Sequence, residues 1–96
     1  MVKHVLFVKM KDNSIEECEK VKALFLSMKD NIDFIRELQV GIDYLHSERS
    51  YDVVLELIVD DRRALEDYQK NPYHVEKVKP YIHAVRIGSA TVDYEY

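Results

Sequence analysis

The chain has 96 residues, 47% of them hydrophobic and 33% charged, which indicates one globular domain and excludes a disordered segment. A formal net charge of −4, with interspersed lysines and glutamates, argues against a protein that binds nucleic-acid phosphates. The single cysteine, Cys18, has no partner for an internal disulfide, no Cys/His cluster has metal-site spacing, and the apolar start is too short for a signal peptide or membrane span. We expect one domain over residues 1–96 in the reducing cytoplasm, with no metal, cofactor, nucleic-acid or membrane partner.

The first two predicted elements are a strand from Val2 to Met10 and a helix that begins at Ser14. The strand alternates, yet both of its faces carry apolar residues. Ser14 and Glu17 have the spacing of a capping box, and apolar residues then recur at three- and four-residue steps. The predicted apolar stripe of the helix comprises Ile15, Cys18, Val21, Leu24 or Phe25, Met28 and Ile32.

The middle of the chain predicts two strands joined by a polar turn. The first covers Leu38 to Tyr44, where apolar residues alternate with polar ones. Gly41 inside it marks either a bulge or a close approach of another group to the backbone. The second runs from Tyr51 to Val59, is rich in β-branched residues, and is again apolar on both faces.

The last third predicts a helix, an irregular helical turn and a final strand. Asp60 is the expected N-cap of the helix, and Pro72 stops it near Asn71. A further helical turn follows over residues 75–82, and an alternating strand runs from His83 to Tyr94. The inner face of the helix consists of Ala64, Leu65 and Tyr68.

This order of elements predicts an α+β fold of the ferredoxin-like type. The βαββαβ series places two helices on one face of a four-stranded antiparallel sheet. Because the strands carry apolar residues on both faces, the bare face needs a cover, and a second copy related by two-fold symmetry would supply it. We therefore expect a homodimer, formed through the open sheet face, in which two sheets make a dimeric α/β barrel.

Three side chains are candidates for chemistry. His74 can accept a proton at neutral pH, since an ordinary imidazole has a pKa near ~6.5, or it can cap the broken helix end. Tyr68 can hydrogen-bond a developing enolate, or it can belong to the core with its hydroxyl satisfied. His4 is a candidate ligand-binding residue that helps to position a substrate, but it lies on an apolar strand face, which is typical of a hydrogen-bonded core histidine. His46 and His83 are expected to be exposed.

Five stretches spread over the chain carry a resemblance to a known family. They are Lys3-His4-Val5-Leu6-Phe7, Gly41-Ile42-Asp43, Tyr51-Asp52, Tyr68-Gln69-Lys70-Asn71-Pro72-Tyr73-His74-Val75 and Val92-Asp93-Tyr94-Glu95. Together they resemble the stress-responsive dimeric α/β-barrel domain family (Dabb), and the resemblance spans almost the whole chain. It implies a ferredoxin-like protomer and a homodimer that shares a barrel.

Two functions remain open beside a purely structural role. Most members of the resembled family have no assigned reaction, so the first hypothesis is a stress-response-type protein that binds a small apolar molecule in a pocket between sheet and helices. One plant branch contains polyketide cyclases, whose catalytic Tyr and His fall on Tyr68 and His74, with a first-strand His on His4. The alternative is thus a cofactor-independent cyclase- or isomerase-like enzyme that abstracts a proton next to a carbonyl. Tyr73 stands where the family usually has a small residue, which could shrink or redirect the pocket.

Overall fold

A computed structural model describes all residues, 1–96, and contains the predicted order of strands and helices. The sheet order is β2-β3-β1-β4, and every neighbouring pair is antiparallel. This topology confirms the ferredoxin-like βαββαβ fold, and in the single chain the sheet is open rather than closed into a barrel. The elements are β1 Val2–Met10, α1 Ile15–Asn31, β2 Glu37–Ile42, β3 Val53–Val59, α2 Arg62–Lys70, a π-helical turn His74–Val78, α3 Lys79–Val85 and β4 Arg86–Glu95.

Helix α1 begins after Ser14, whose Oγ accepts the backbone N–H of Glu17 at 3.4 Å, as the capping signature predicts. Its apolar stripe packs on the sheet, and its buried members differ from the predicted ones in two details. Ile15 is exposed, and Phe25 rather than Leu24 is the fully buried member at the middle of the helix. The buried core joins this stripe to the helix-side residues of the two central strands: Val2, Val8, Met10, Cys18, Val21, Phe25, Met28, Val53, Leu55, Leu57 and Val59.

Helix α2 begins one residue later than predicted. Asp61, rather than Asp60, is the N-cap, and its Oδ1 accepts the backbone N–H of Ala64 at 2.8 Å. Asp60 instead pairs with Arg36 through two bonds of 2.7 and 2.8 Å. This pairing lowers the pKa of the Asp60 carboxyl. Two adjacent aspartates thus have different partners, which sequence spacing alone does not distinguish.

The final strand begins at Arg86 rather than at His83. Pro80 stands in the first turn of α3, a position that tolerates proline, and the helix is not interrupted there. The helix ends where the backbone N–H of Arg86 donates to the carbonyl of Ile82. His83 therefore lies on a helix, three residues before the strand on which it was predicted.

Asp52 ties the beginning of β3 to the end of β1. Its side chain is only 2% exposed, and its Oδ2 accepts the backbone N–H of Met10 at 2.7 Å. Its own backbone N–H donates to the carbonyl of Val8 at 2.9 Å, and Asn13 Nδ2 lies 3.4 Å from Oδ1. The central strand β1, which carries His4, is thereby anchored at one end by a buried carboxylate.

The sheet face that points away from the helices is uncovered in the single chain. Alternation and strand register place apolar residues at its centre, and Val92 there is 56% exposed. Gly41 lies on the same face in a β2–β3 ladder without a register shift, and a Cβ on it would stand 3.2 Å from Val54 Cγ1. The close-approach alternative for Gly41 is thus correct. The apolar side chains of this open face include Val5, Phe7, Val54, Ile58, Ala90 and Val92.

None of the three helices combines the length and the apolar character needed to cross a membrane.

Candidate functional site

A cleft of about 320 Å³ opens between the helix side of β1 and β4 and the segment from α2 to α3. It exists because the edge strand β4 presents polar residues on this side, and Ser89, Thr91 and Asp93 remain exposed. The floor is apolar and the rim is polar. The lining residues are His4, Leu6, Val8, Phe25, Tyr68, Gln69, His74, Val78, Lys79, Ile82, His83, Arg86, Ser89, Thr91 and Asp93.

Asn71 and Pro72 shape the chain beside the cleft. As predicted, α2 ends just before Asn71, and Pro72 follows it. Asn71 also starts the next helical segment, since its Oδ1 accepts the backbone N–H groups of Tyr73 at 2.9 Å and of His74 at 3.4 Å. Pro72 is the first residue of that segment, a position that requires no donor. Pro72 therefore follows the end of α2 and begins the next helical segment.

A π-helical turn follows, in which the backbone N–H of Lys79 donates to the carbonyl of His74. Such wide turns within helices occur frequently at functional sites. Tyr73, at the start of the turn, points towards α1, where its hydroxyl lies 2.7 Å from Ser27 Oγ. Tyr73 does not line the cleft. Its bulk thus fixes the turn against α1 rather than filling the pocket.

The His74 imidazole lines the cleft next to Tyr68, with 4.4 Å between the two ring centroids. Its Nδ1 is buried and has no hydrogen-bond partner. Burial, aided by the positive charge of Lys79, lowers the pKa of His74 to about 4. The ring is therefore neutral at pH 7 and can accept a proton. The ring does not cap the helix end, because its Nδ1 has no partner, and the side chain of Asn71 caps the start of the next segment.

His4 is held by a carboxylate from the opposite end of the chain. The β1–β4 register places His4 directly beside Asp93, and His4 Nδ1 hydrogen-bonds with Asp93 Oδ1. A carboxylate only accepts, so Nδ1 carries the proton, and in the neutral form of the ring Nε2 is an acceptor. His4 is 5% exposed, as expected for a hydrogen-bonded core histidine, and it also lines the cleft.

Tyr68 stands between the two histidines. Its ring centroid lies 5.7 Å from that of His4 and 4.4 Å from that of His74. The residue is 1% exposed, and this burial raises the pKa of its phenol. Its hydroxyl donates to Met28 Sδ at 3.7 Å. The hydroxyl is thus directed into the core, which favours packing over contact with a ligand. The structure nevertheless brings all three sequence-predicted residues into one row.

Other side chains singled out from the sequence lie outside this row. Cys18 is buried, and burial raises the pKa of its thiol, so it acts as a small core residue. His46 is exposed in the β2–β3 turn with a φ of 54°. No group of three or more His, Cys, Asp and Glu side chains is arranged to hold a metal ion.

Sequence reasoning missed the polar partners of the site. Asp93 was recognised only as part of the closing motif, although pairing β1 with β4 in antiparallel register would have placed it opposite His4. Lys79 and Arg86 line the cleft because α3 extends further than predicted. Lys79 lies four residues before His83, which is the spacing of neighbours along one helix face, and Arg86 follows His83 by three residues at the start of β4.

Comparison with known proteins places this geometry in context. The model of the stress responsive A/B barrel domain family, Dabb, matches residues 2–96. No match is found among curated proteins.

Three solved structures illustrate the similarity. The fold is similar to that of the Arabidopsis thaliana protein At3g17210, with a TM-score of 0.86 and 23% identity over 100% of this chain and 95% of that one. It is also similar to a dimeric protein of unknown function and ferredoxin-like fold from Bacteroides fragilis, with a TM-score of 0.83 and 26% identity over 99% and 95% of the two chains. A hydroxynitrile lyase from Passiflora edulis gives a TM-score of 0.80 and 15% identity over 97% and 90%. At 23% and 15% identity, the first and third similarities show a shared fold and no more.

Proposed function

Because the chain belongs to the stress responsive A/B barrel domain family, we propose that its cleft is the active site of a cofactor-independent enzyme that transfers a proton on a small carbonyl compound. The observation that carries this proposal is the row of His4, Tyr68 and His74 along the cleft, in which His74 Nδ1 is buried without a partner. A buried polar atom that lacks a partner costs free energy unless a ligand satisfies it.

His74 is the proton acceptor in this proposal. With a pKa of about 4 it is a weak base in the empty cleft. Abstraction of a proton next to a carbonyl leaves a negative enolate beside the new imidazolium, and opposite charges in a partly buried site stabilise each other. The low pKa thus keeps His74 neutral before the reaction, and the developing charge of the substrate favours its protonation during it.

His4 positions the substrate. Asp93 holds its proton on Nδ1, so that neutral His4 can accept a hydrogen bond from a substrate hydroxyl through Nε2. The relative from Passiflora edulis is a hydroxynitrile lyase, and cleavage of a hydroxynitrile to a carbonyl compound and cyanide also removes a hydroxyl proton. That relative supports the proposal to the extent that the same fold hosts a proton transfer beside a future carbonyl carbon.

Two simple substrates test the reaction class. Exchange of the α-protons of acetophenone is followed by NMR in D₂O, and cleavage of mandelonitrile is followed by release of benzaldehyde. We expect at least one reaction to run faster than in buffer, and His74→Gln to slow it by about 10²–10⁴-fold. The matched control is His46→Gln, which changes an exposed histidine of the β2–β3 turn. Rates equal to buffer for both substrates, or equal in wild type and His74→Gln, contradict the proposal.

A second candidate function is binding of a small apolar molecule without turnover. It is favoured by the direction of the Tyr68 hydroxyl, which donates to Met28 instead of the cleft, and by the apolar floor around Phe25 and Ile82. A thermal-shift screen of small aromatic compounds on wild type, His74→Ala and Tyr68→Phe tests this candidate. A shift that is lost in His74→Ala, together with no proton-transfer activity, supports binding alone. Equal shifts in all three proteins place the bound compound elsewhere.

We further propose that two copies associate through their open sheet faces to form the α/β barrel. The exposed apolar centre of that face, including Val92, is the kind of surface that a second copy covers. The relative from Bacteroides fragilis is described as dimeric, which supports this assembly. The cleft lies on the helix side of the sheet, so this association leaves it accessible. The free thiol of Cys18 fits the cytoplasm that we propose as the location.

A further inference from the structure

We infer that the cleft takes an organic carboxylate, whose apolar body lies on the floor while its anionic group meets Lys79 and Arg86 at the rim. This inference rests on the proposed function, since it names the substrate class of the same site. One face of α3 is turned to the cleft. Lys79 and His83 are four residues apart on that helix, and Arg86 follows three residues later where β4 begins.

The two cations of this rim are unpaired, as several other lysines and arginines of the chain are. Other basic side chains are neutralised by carboxylates, as Arg36 is by Asp60 and Arg62 is by Glu95. Neither Lys79 nor Arg86 has a carboxylate within salt-bridge distance. In a chain with a net charge of −4, two unpaired cations at one cleft are a local excess of positive charge.

The only carboxylate of the cleft does not neutralise them. Asp93 is bonded to His4 on the β4 side of the cleft. The rest of that wall consists of the hydroxyl groups of Ser89 and Thr91, which donate to an anion as readily as they accept. The polar rim therefore offers cationic and hydroxyl donors to a ligand, and its one carboxylate, Asp93, is engaged by His4 on the β4 side.

The floor of the cleft indicates that the rest of the ligand is apolar. Leu6, Phe25, Val78 and Ile82 supply apolar surface beneath the rim. A bare inorganic anion would leave this surface uncovered, whereas a carboxylate attached to an aromatic or aliphatic body covers it and gains the hydrophobic contribution. A carboxylate next to the reacting carbonyl would also hold that carbonyl in register with His74, because Lys79 lies one π-helical turn further along the chain.

Salicylate and salicylamide test this inference, because they share size and shape and differ in charge. Binding at pH 7.5 is measured by titration of ¹H–¹⁵N chemical shifts on the intact protein. We expect salicylate to bind about tenfold more tightly than salicylamide, with the largest shifts in α3 and β4, and added salt to reduce this difference. Inorganic phosphate, the alternative anion, is titrated in the same way and is expected to bind more weakly than salicylate.

Variants identify the cations. Lys79→Gln and Arg86→Gln should each weaken salicylate binding about threefold, and the double variant about tenfold, while salicylamide is unaffected. The matched control is Lys77→Gln, an exposed lysine two residues from Lys79 that does not line the cleft. Equal affinity for the two compounds overturns the inference, as do salicylate binding no tighter than phosphate, absence of salicylate binding at millimolar concentration, and an equal loss in Lys77→Gln.

The outcomes separate this inference from the proposed function. Salicylate binding that depends on Lys79 and Arg86, in a protein that exchanges no α-protons, upholds the carboxylate site and rejects the enzyme. Catalysis that depends on His74, in a protein that does not distinguish salicylate from salicylamide, upholds the enzyme and rejects the carboxylate site.

Discussion

Acidification is expected to destabilise the fold through His74. Burial lowers the pKa of its imidazole from 6.5 to about 4, so between these pH values the unfolded chain binds a proton here that the folded protein does not. The free energy of unfolding is therefore not reduced by this group above about pH 6.5, and it decreases as the pH falls towards about 4. Below that value both states are protonated and the loss is constant.

The size of this effect follows from the pKa values and from the exposure of the ring. A fall from 6.5 to about 4 corresponds to about 3.4 kcal/mol for a group fully removed from water. His74 is only half-buried, and solvent screening weakens its interactions. We therefore expect a loss of about 1.5 kcal/mol in the free energy of unfolding between about pH 7 and about pH 4.

Urea unfolding measures this loss when wild type and His74→Gln are compared across the pH range at one protomer concentration. The difference between the two proteins isolates His74 from the carboxylates that titrate in the same range. An NMR titration of the His74 ring protons gives its pKa directly. A value at or above about 6, or parallel pH profiles for the two proteins, would refute the reasoning from burial.

Three further predictions concern the frame of the site. Asp52→Ala should lower the free energy of unfolding by about 2–4 kcal/mol, because the buried Met10 N–H loses its acceptor. The control Asn13→Ala should lower it by less than about 1 kcal/mol, and urea midpoints measure both variants. Val92→Glu should raise the dimer dissociation constant about 100-fold in sedimentation, since it buries a charge between the sheets, and an unchanged constant would locate the interface elsewhere. Asp93→Asn should slow proton transfer about tenfold, by releasing the tautomer of His4, without unfolding the protein.

Local patterns in the sequence were sufficient to predict the fold. Two-residue alternation indicated the strands, and three- to four-residue steps indicated α1, because a fixed backbone geometry sends each side chain to a definite face. Short-range chemistry determined the helix ends, as at Ser14 and Pro72, since capping involves residues only a few positions apart. Apolar residues on both strand faces also predicted that the bare face of the sheet requires a cover.

Some local predictions failed where tertiary contacts decided between neighbouring options. Asp61 caps α2, while Asp60 pairs with Arg36, which is distant in sequence. The last helix continues to Val85 because Pro80 falls in its first turn, which depends on the preceding π-helical turn. A single residue of helical offset changes which side chains face the cleft, so Lys79 and Arg86 could not be assigned to it in advance.

The sequence by itself determined the βαββαβ order, the apolar stripes and the presence of His4, Tyr68 and His74 as the groups able to do chemistry. Only the tertiary structure decided how these groups are used. It paired His4 with Asp93, 89 residues away, through the β1–β4 register, and it turned the Tyr68 hydroxyl to Met28. It also left His74 Nδ1 buried without a partner. Periodicity fixes the face on which a side chain lies, whereas hydrogen bonds, burial and pKa depend on what the rest of the chain brings to that face.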